Sequence, residues 1–151
     1  MGQVRARSAG PQDALVVAAL TLQCARHRGA PREPGFLDRY ATAWLAAPER
    51  HPIWIAEAGD EHAGYLQALV LRPLPWPGAA ADAASALVVQ AFFVRPDHRG
   101  VGVGEELLRA AVAWAREAGL ARVSMSAGEH TAAMLERLGF SAAPRQMVLE
   151  L

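Results

Sequence analysis

Three glycines at every second position, Gly100, Gly102 and Gly104, follow Arg99 in the stretch FFVRPDHRGVGVGEELLRAAVAWAREAG, residues 92–119. An apolar run leads into Pro96, and an amphipathic helix pattern follows the glycines without a break. A strand that passes through such a turn into a helix presents unpaired backbone N–H groups where the helix dipole also favours negative charge. Glycine lets a ligand come close to the backbone and tolerates a positive φ where the turn needs one. The chemistry predicted is capture of an anion, and a diphosphate suits the geometry. Two phosphate-binding patterns fail. A P-loop needs lysine followed by serine or threonine after its last glycine, and the chain contains no lysine. A dinucleotide turn needs G-x-G-x-x-G. Counting from Gly100 puts Glu105 at its third glycine, where a carboxylate would crowd helix against strand and repel a pyrophosphate.

The elements that must position this turn follow from local patterns. QVRAR at residues 3–7 reads as a short first strand, and Gly10-Pro11 starts a helix with Asp13 complementing its dipole. Leu15, Ala18, Ala19 and Leu22 recur there at helical spacing, and Phe36, Tyr40, Ala43 and Trp44 mark a second helix with an aromatic face. PIWIAEAG and HAGYLQALVLR form a hairpin around Gly59-Asp60-Glu61, followed by the Pro- and Ala-rich loop PLPWPGAAADAAS. ALVVQAFFV is nearly continuous in apolar residues, as a central strand would be, and Gln90 interrupts it. Residues 103–118 form the helix after the glycines, with Glu105 and Glu106 in its first turn and Gly119 at its cap. ARVSMS, TAAMLERL and QMVLEL then predict a strand, a short helix closed by Gly139, and a final strand.

At 151 residues, 52% hydrophobic and 20% charged, residues 1–151 fit one globular domain. Fifteen basic and fifteen acidic residues leave no cationic field, which disfavours nucleic acid as a partner. Cys24, the single cysteine, allows no intramolecular disulfide, fits a reducing compartment, and lies in an apolar helical pattern suited to the core. The N-terminus lacks an apolar signal core, and no apolar stretch reaches membrane-spanning length, so a cytoplasmic protein with no membrane partner is expected.

VRPDHRGVGVG resembles the acetyl-CoA signature of the GCN5-related N-acetyltransferase (GNAT) family: Arg or Gln, two residues, Gly, one residue, then Gly or Ala, here Arg99, Gly102 and Gly104. Val94, Pro96 and the following ELL match the family's habit, and TAAMLERLGF resembles its second motif, ending in Gly139-Phe140. The resemblance is clear over residues 85–141. It implies an α/β acyl-CoA N-acyltransferase fold: a mixed, mostly antiparallel sheet of six or seven strands, with helices on both faces. The fourth and fifth strands, ALVVQAFFV and ARVSMS, would splay so that acyl-CoA slips between them. It further implies that the backbone of Phe92, Phe93 and Val94 pairs with the pantetheine arm. The pyrophosphate would rest on the N–H groups of Arg99, Gly100, Val101, Gly102, Val103, Gly104 and Glu105. A β-branched residue at Gly102 would then block the ligand. The implied reaction is acetyl transfer from acetyl-CoA to a primary amine of a small molecule or peptide N-terminus, by direct attack, without metal or covalent intermediate. The Val94 N–H would hold the oxyanion.

Two positions depart from the family pattern. The tyrosine that commonly serves as general acid is Leu135, and the asparagine of the same motif is Gly128. A carboxylate frequent on the fourth strand as base is Gln90, which takes no proton at neutral pH. A thiol of pKa about 8.5 leaves as thiolate at pH 7 with a penalty of only about 2 kcal/mol. An alkylamine near pKa 10.4 must first lose a proton, at roughly 4.6 kcal/mol, whereas an α-amino group near 7.7 to 8.0 needs about 1 kcal/mol. The missing base therefore favours a low-pKa amine, or a base elsewhere. Glu57, Glu129, His130 and Asp82 are candidates, with His130 and the loop residue His98 equally at home on the surface. Glu33, Asp38 and Tyr40 suit either recognition of a cationic amine or a solvated helix face. The alternative function is an acyl-CoA-binding module that has lost catalysis. A homodimer through edge strands or the apolar PLPWPG segment stays open.

Overall fold

A computed structural model of the chain describes residues 2–143 and 146–151. Strand β1 (Val4–Ser8) leads through a single 3₁₀ turn, Pro11–Asp13, into helix α1 (Ala14–His27) and then helix α2 (Phe36–Ala46). Strands β2 (Ile53–Ala58) and β3 (Glu61–Leu71) form the expected hairpin, and a long exposed loop connects to β4 (Ala86–Val94). A turn at Pro96–His98 and the glycines precede helix α3 (Val103–Glu117), followed by β5 (Arg122–Ser124) and helix α4 (Ala132–Arg137).

The sheet runs in the order β1-β2-β3-β4-β5, antiparallel throughout except for the parallel β4–β5 pair. It is mixed and mostly antiparallel as expected, but has five strands among the described residues, not six or seven. The missing strand is QMVLEL. Met147, Val148, Leu149 and Leu151 are almost fully exposed and join no ladder. β5 is also shorter than ARVSMS, because β4 and β5 pair only from Ala86↔Arg122 to Val88↔Ser124. Two residues later β4 bulges: Ala68 faces Val89 and Gln67 faces Ala91, so Gln90 is the extra residue. A bulge bends its strand and increases the local twist, which carries the rest of β4 away from β5.

Helices cover both faces. Leu107, Leu108, Ala111 and Ala115 of α3 pack on Trp54, Leu66 and Leu87 of the sheet. On the opposite face Val17, Leu20 and Cys24 of α1 and Trp44 of α2 pack on Ile53, Ile55, Tyr65 and Phe93. Cys24 is thus a core residue. The buried stripe of α1 differs from the sequence pattern: Leu15 is 56% exposed, and Val17, Leu20 and Cys24 take the inward face. Alanine and leucine occur on both sides of this helix, so its apolar period is blurred. The sheet's far end is clamped by Arg7, which donates to Asp13 at 2.8 and 3.0 Å and to Glu57 at 2.7 Å. Among the described residues no helix is long and apolar enough to cross a membrane.

Candidate functional site

Among the described residues the edge of β4 toward β5 is unpaired beyond Val88, and its free backbone groups follow from the register. Arg95 N–H donates to Ala63 O at 2.8 Å, so Arg95 faces β3. In an antiparallel ladder the facing side alternates, so Phe93 also faces β3, while Phe92 and Val94 turn their N–H and C=O groups to the open edge. The Val94 carbonyl confirms this orientation by accepting from Arg99 Nε at 3.1 Å. Of the three residues expected to pair with a pantetheine arm, Phe92 and Val94 are therefore available. Phe93 is not, because its main chain is turned to β3. Its ring instead packs in the α1–α2 core.

The glycine turn ends this strand as the sequence predicts. Gly100 and Gly102 have φ values of +80° and +88°, a region that L side chains rarely adopt. Gly102 is the N-cap of α3 and carries no side-chain cap, and the first helical bond is Glu106 N–H to Gly102 O at 3.1 Å. The N–H groups of Val103, Gly104 and Glu105 thus precede any intrahelical partner and point out of the helix end. A Cβ on Gly102 would meet nothing within 4 Å, so it is the positive φ alone that makes a substitution there strained. Gly104 is needed for packing instead, since a Cβ there would lie 3.0 Å from Phe92 Cζ and 3.5 Å from Met134 Sδ. Its small size seats α3 on β4 and α4.

Charges around the turn are partitioned. Glu105 accepts from Arg137 at 2.8 Å and faces Arg109 at 3.2 Å, and these cations, Arg137 foremost, hold its carboxyl below the usual range. Glu105 and Arg109 also line a cleft of about 930 Å³ that reaches from Val101 and Gly102 to Gly59 and Asp60. Asp60, Glu61 and Asp97 make its far side, away from the helix start, unsuited to a diphosphate. Glu61, Asp97 and His98 offer ligand atoms within 4.8 Å of one another. The Arg95 guanidinium, 3.2 Å from Asp97, already supplies the positive charge that a metal ion would bring. His98 sits 2.7 Å from Glu61, fixing the loop.

The proposed bases fare unevenly. Gln90 is exposed at the bulge, beside the open edge. Glu57 is not brought there. It pairs with Arg7 opposite His62, five residues along β3 from Gln67, or about 17 Å at ~3.4 Å per residue. Glu129 and His130 are exposed in the turn before α4, and Asp82 pairs with Arg72 at 3.1 Å in the long loop. Leu135, at the usual tyrosine position, is 4% exposed in the core and has no proton to give. Glu33 is paired with Arg39 at 2.5 Å, and Asp38 is exposed. Tyr40 turns inward and donates its hydroxyl to Gln67 Oε1, next to the bulge. Burial raises its pKa, so it is a neutral donor at physiological pH.

Two features were missed by sequence reasoning. Gly64 lies opposite Val94, and a Cβ on it would come within 2.4 Å of Phe93 O. A lone glycine inside an apolar strand run is the available signal for such a close backbone approach. Tyr65 is completely buried, and its hydroxyl has no hydrogen-bond partner among the described residues. Its neighbour Thr21 donates its own proton to Val17 O at 2.8 Å.

An open strand edge, an uncapped helix start and a glycine turn joining them define the class: an α/β protein whose mixed sheet runs through a glycine turn into a helix beside a free strand edge. The chain belongs to the Acetyltransferase (GNAT) family, whose model matches residues 18–140. Solved structures share the fold. A predicted acetyltransferase of Clostridium acetobutylicum, crystallised with acetyl-CoA, is 15% identical over 98% of this chain and 96% of its own, with a TM-score of 0.79. The ribosomal-protein-alanine N-acetyltransferase of Brucella melitensis biovar Abortus is 22% identical over 99% of this chain and 100% of its own, with a TM-score of 0.76. AAC(6')-Iy, solved with a bisubstrate analogue of CoA and acetylneamine, is 19% identical over 99% of both chains, also with a TM-score of 0.76. No curated protein matches the sequence.

Proposed function

We propose that the protein transfers the acetyl group of acetyl-CoA to a primary amine. The observation that carries this is the continuity of the open β4 edge with the uncapped start of α3. The first can pair with an amide-bearing arm and the second can hold a diphosphate. Phe92 and Val94 would bond the pantetheine amides, and the N–H groups from Arg99 to Glu105 the pyrophosphate. The amine nitrogen attacks the acetyl carbonyl, the Val94 N–H holds the developing oxyanion, and the C–S bond breaks to release thiolate. The ammonium proton passes to water, since Gln90 and Leu135 supply neither base nor acid. That loss is small for an α-amino group, about 1 kcal/mol, and larger for an alkylamine, about 4.6 kcal/mol.

The same two residues favour a second reading, an acyl-CoA-binding module without turnover. A free-thiol release assay across alkylamines, amino sugars and peptides separates the two. Thiol release with at least one primary amine is expected. Saturable CoA binding with no release on any amine would leave the binding module.

A further inference from the structure

Behind Val94, on the α1 face of the sheet, lies an open cleft of about 530 Å³ lined by Gln23, Arg26, His27, Phe93 and Arg95. Phe93 makes its apolar floor, with the His27 ring tilted over it at 6.1 Å. Because successive strand residues point to opposite faces, this floor lies across the sheet from Phe92 and α3. The cleft therefore borders the reacting edge without being the diphosphate wall.

Its charge is one-sided. Arg26 forms no ion pair among the described residues. Arg99 reaches the rim, where its Nη2 meets His27 Nε2 at 3.2 Å, and it too has no carboxylate partner. The one acid in the lining, Asp97, is engaged by Arg95 at 3.2 Å. Two unmatched guanidinium groups flanking an imidazole repel an ammonium group and suit a carboxylate, which a planar guanidinium binds in bidentate fashion.

Resting on the acetyltransferase reading, we propose that this cleft binds the carboxylate of the acceptor, and that the acceptor is a short peptide with a free C-terminus. Arg26 is the principal contact. A dipeptide separates its α-amino nitrogen from its carboxylate by about 7 Å, two residues at ~3.3–3.6 Å each. With its carboxylate at Arg26, such a peptide would extend its amine from the cleft toward the β4 edge. The α-amino group is also the amine that a site without a base can use most readily.

The test compares dialanine with dialanine amide, and wild type with Arg26→Ala, in the thiol-release assay. The amide should show a KM at least tenfold higher, Arg26→Ala should abolish that preference, and the KM for acetyl-CoA should stay unchanged. N-acetyl-dialanine and its amide, titrated calorimetrically into CoA-saturated protein, give a second readout that needs no turnover. The acid should bind at least tenfold tighter, and Arg26→Ala should remove the difference. Equal handling of acid and amide by wild type in the titration, or an acid preference that survives Arg26→Ala, would overturn the proposal. Selective binding of the acid without thiol release would instead sink the enzyme reading and keep the cleft assignment.

Discussion

Gly64→Ala should damage the site without touching any residue of the glycine turn. The added Cβ would sit 2.4 Å from Phe93 O and 3.1 Å from Val94 Cα, both backbone atoms of the strand that carries the open edge. Ordinary contact begins near 3.4 Å, so β3 and β4 must part by about 1 Å at this point. The neighbouring bond from Arg95 N–H to Ala63 O, now 2.8 Å, would stretch beyond hydrogen-bonding range. A lost ladder bond costs about 1 kcal/mol, and overpacking adds about 1–3 kcal/mol. Reduced freedom of the unfolded chain returns about 0.4–1 kcal/mol. The net is a loss of about 1–3.6 kcal/mol, or a fall in Tm of about 2–14 °C for a chain of this size.

The same displacement moves the Val94 C=O that the pantetheine arm would use and the Val94 N–H that would hold the oxyanion. A misplacement of about 1 Å can cost a hundredfold in rate, so a loss of at least tenfold in acetyl-CoA affinity is expected. Thermal melting and calorimetric titration with CoA measure the two effects. Gly128→Ala is the control, because its Cβ would meet only Thr131 Oγ1 at 3.9 Å. A Gly64→Ala protein that melts within about 1 °C of wild type, short of the ~2 °C minimum, and binds CoA equally well would refute the reasoning.

Tyr65→Phe removes a buried hydroxyl that has no partner, so it should leave stability unchanged or raise it by about 1 kcal/mol; a clear fall in Tm would show that the hydroxyl is bonded. Asp13 has its pKa lowered chiefly by its hydrogen bonds with Arg7, so its contribution is present above the unfolded value of about 3.9 and is lost as pH falls through the lower folded value. Asp13→Asn should therefore lower stability at pH 7 by about 1.5–3 kcal/mol and flatten the acid limb of Tm against pH, and an unchanged acid limb would count against the ion pair. Gln90→Glu places a proton acceptor at the bulge, and should raise turnover of alkylamines more than of α-amines, with a new acidic limb in the pH–rate profile; equal effects on both would remove Gln90 from the reacting edge.

What the sequence disclosed about this site depends on how far apart the cooperating residues lie in the chain. Gly100, Gly102 and the start of α3 are local: positive φ and a 3.6-residue period are written within twenty residues, and the structure reproduces them. Glu57 failed as a free carboxylate because its partner Arg7 lies fifty residues earlier, and no window around PIWIAEAG hints at the pairing. The open edge was anticipated only through the family resemblance. Its particulars, Phe92 and Val94 free and Phe93 turned away, depend on the phase of the β3–β4 ladder. Gly64 stands between these cases. Its presence in a strand was visible, but its position opposite Val94 was not, because register is set by which faces bury against the helices and not by the strand itself. The short sheet has the same origin. QMVLEL carries strand-forming residues, yet Met-Val-Leu presents apolar groups to both faces and none is covered, so propensity without a partner strand yields no strand. Gln90 is the opposite kind of result: that it carries no titrating proton is legible in one residue and its position came from the family resemblance, while the fold adds that it stands on an exposed bulge beside the open edge, where in the proposed reaction it would limit which amines are accepted.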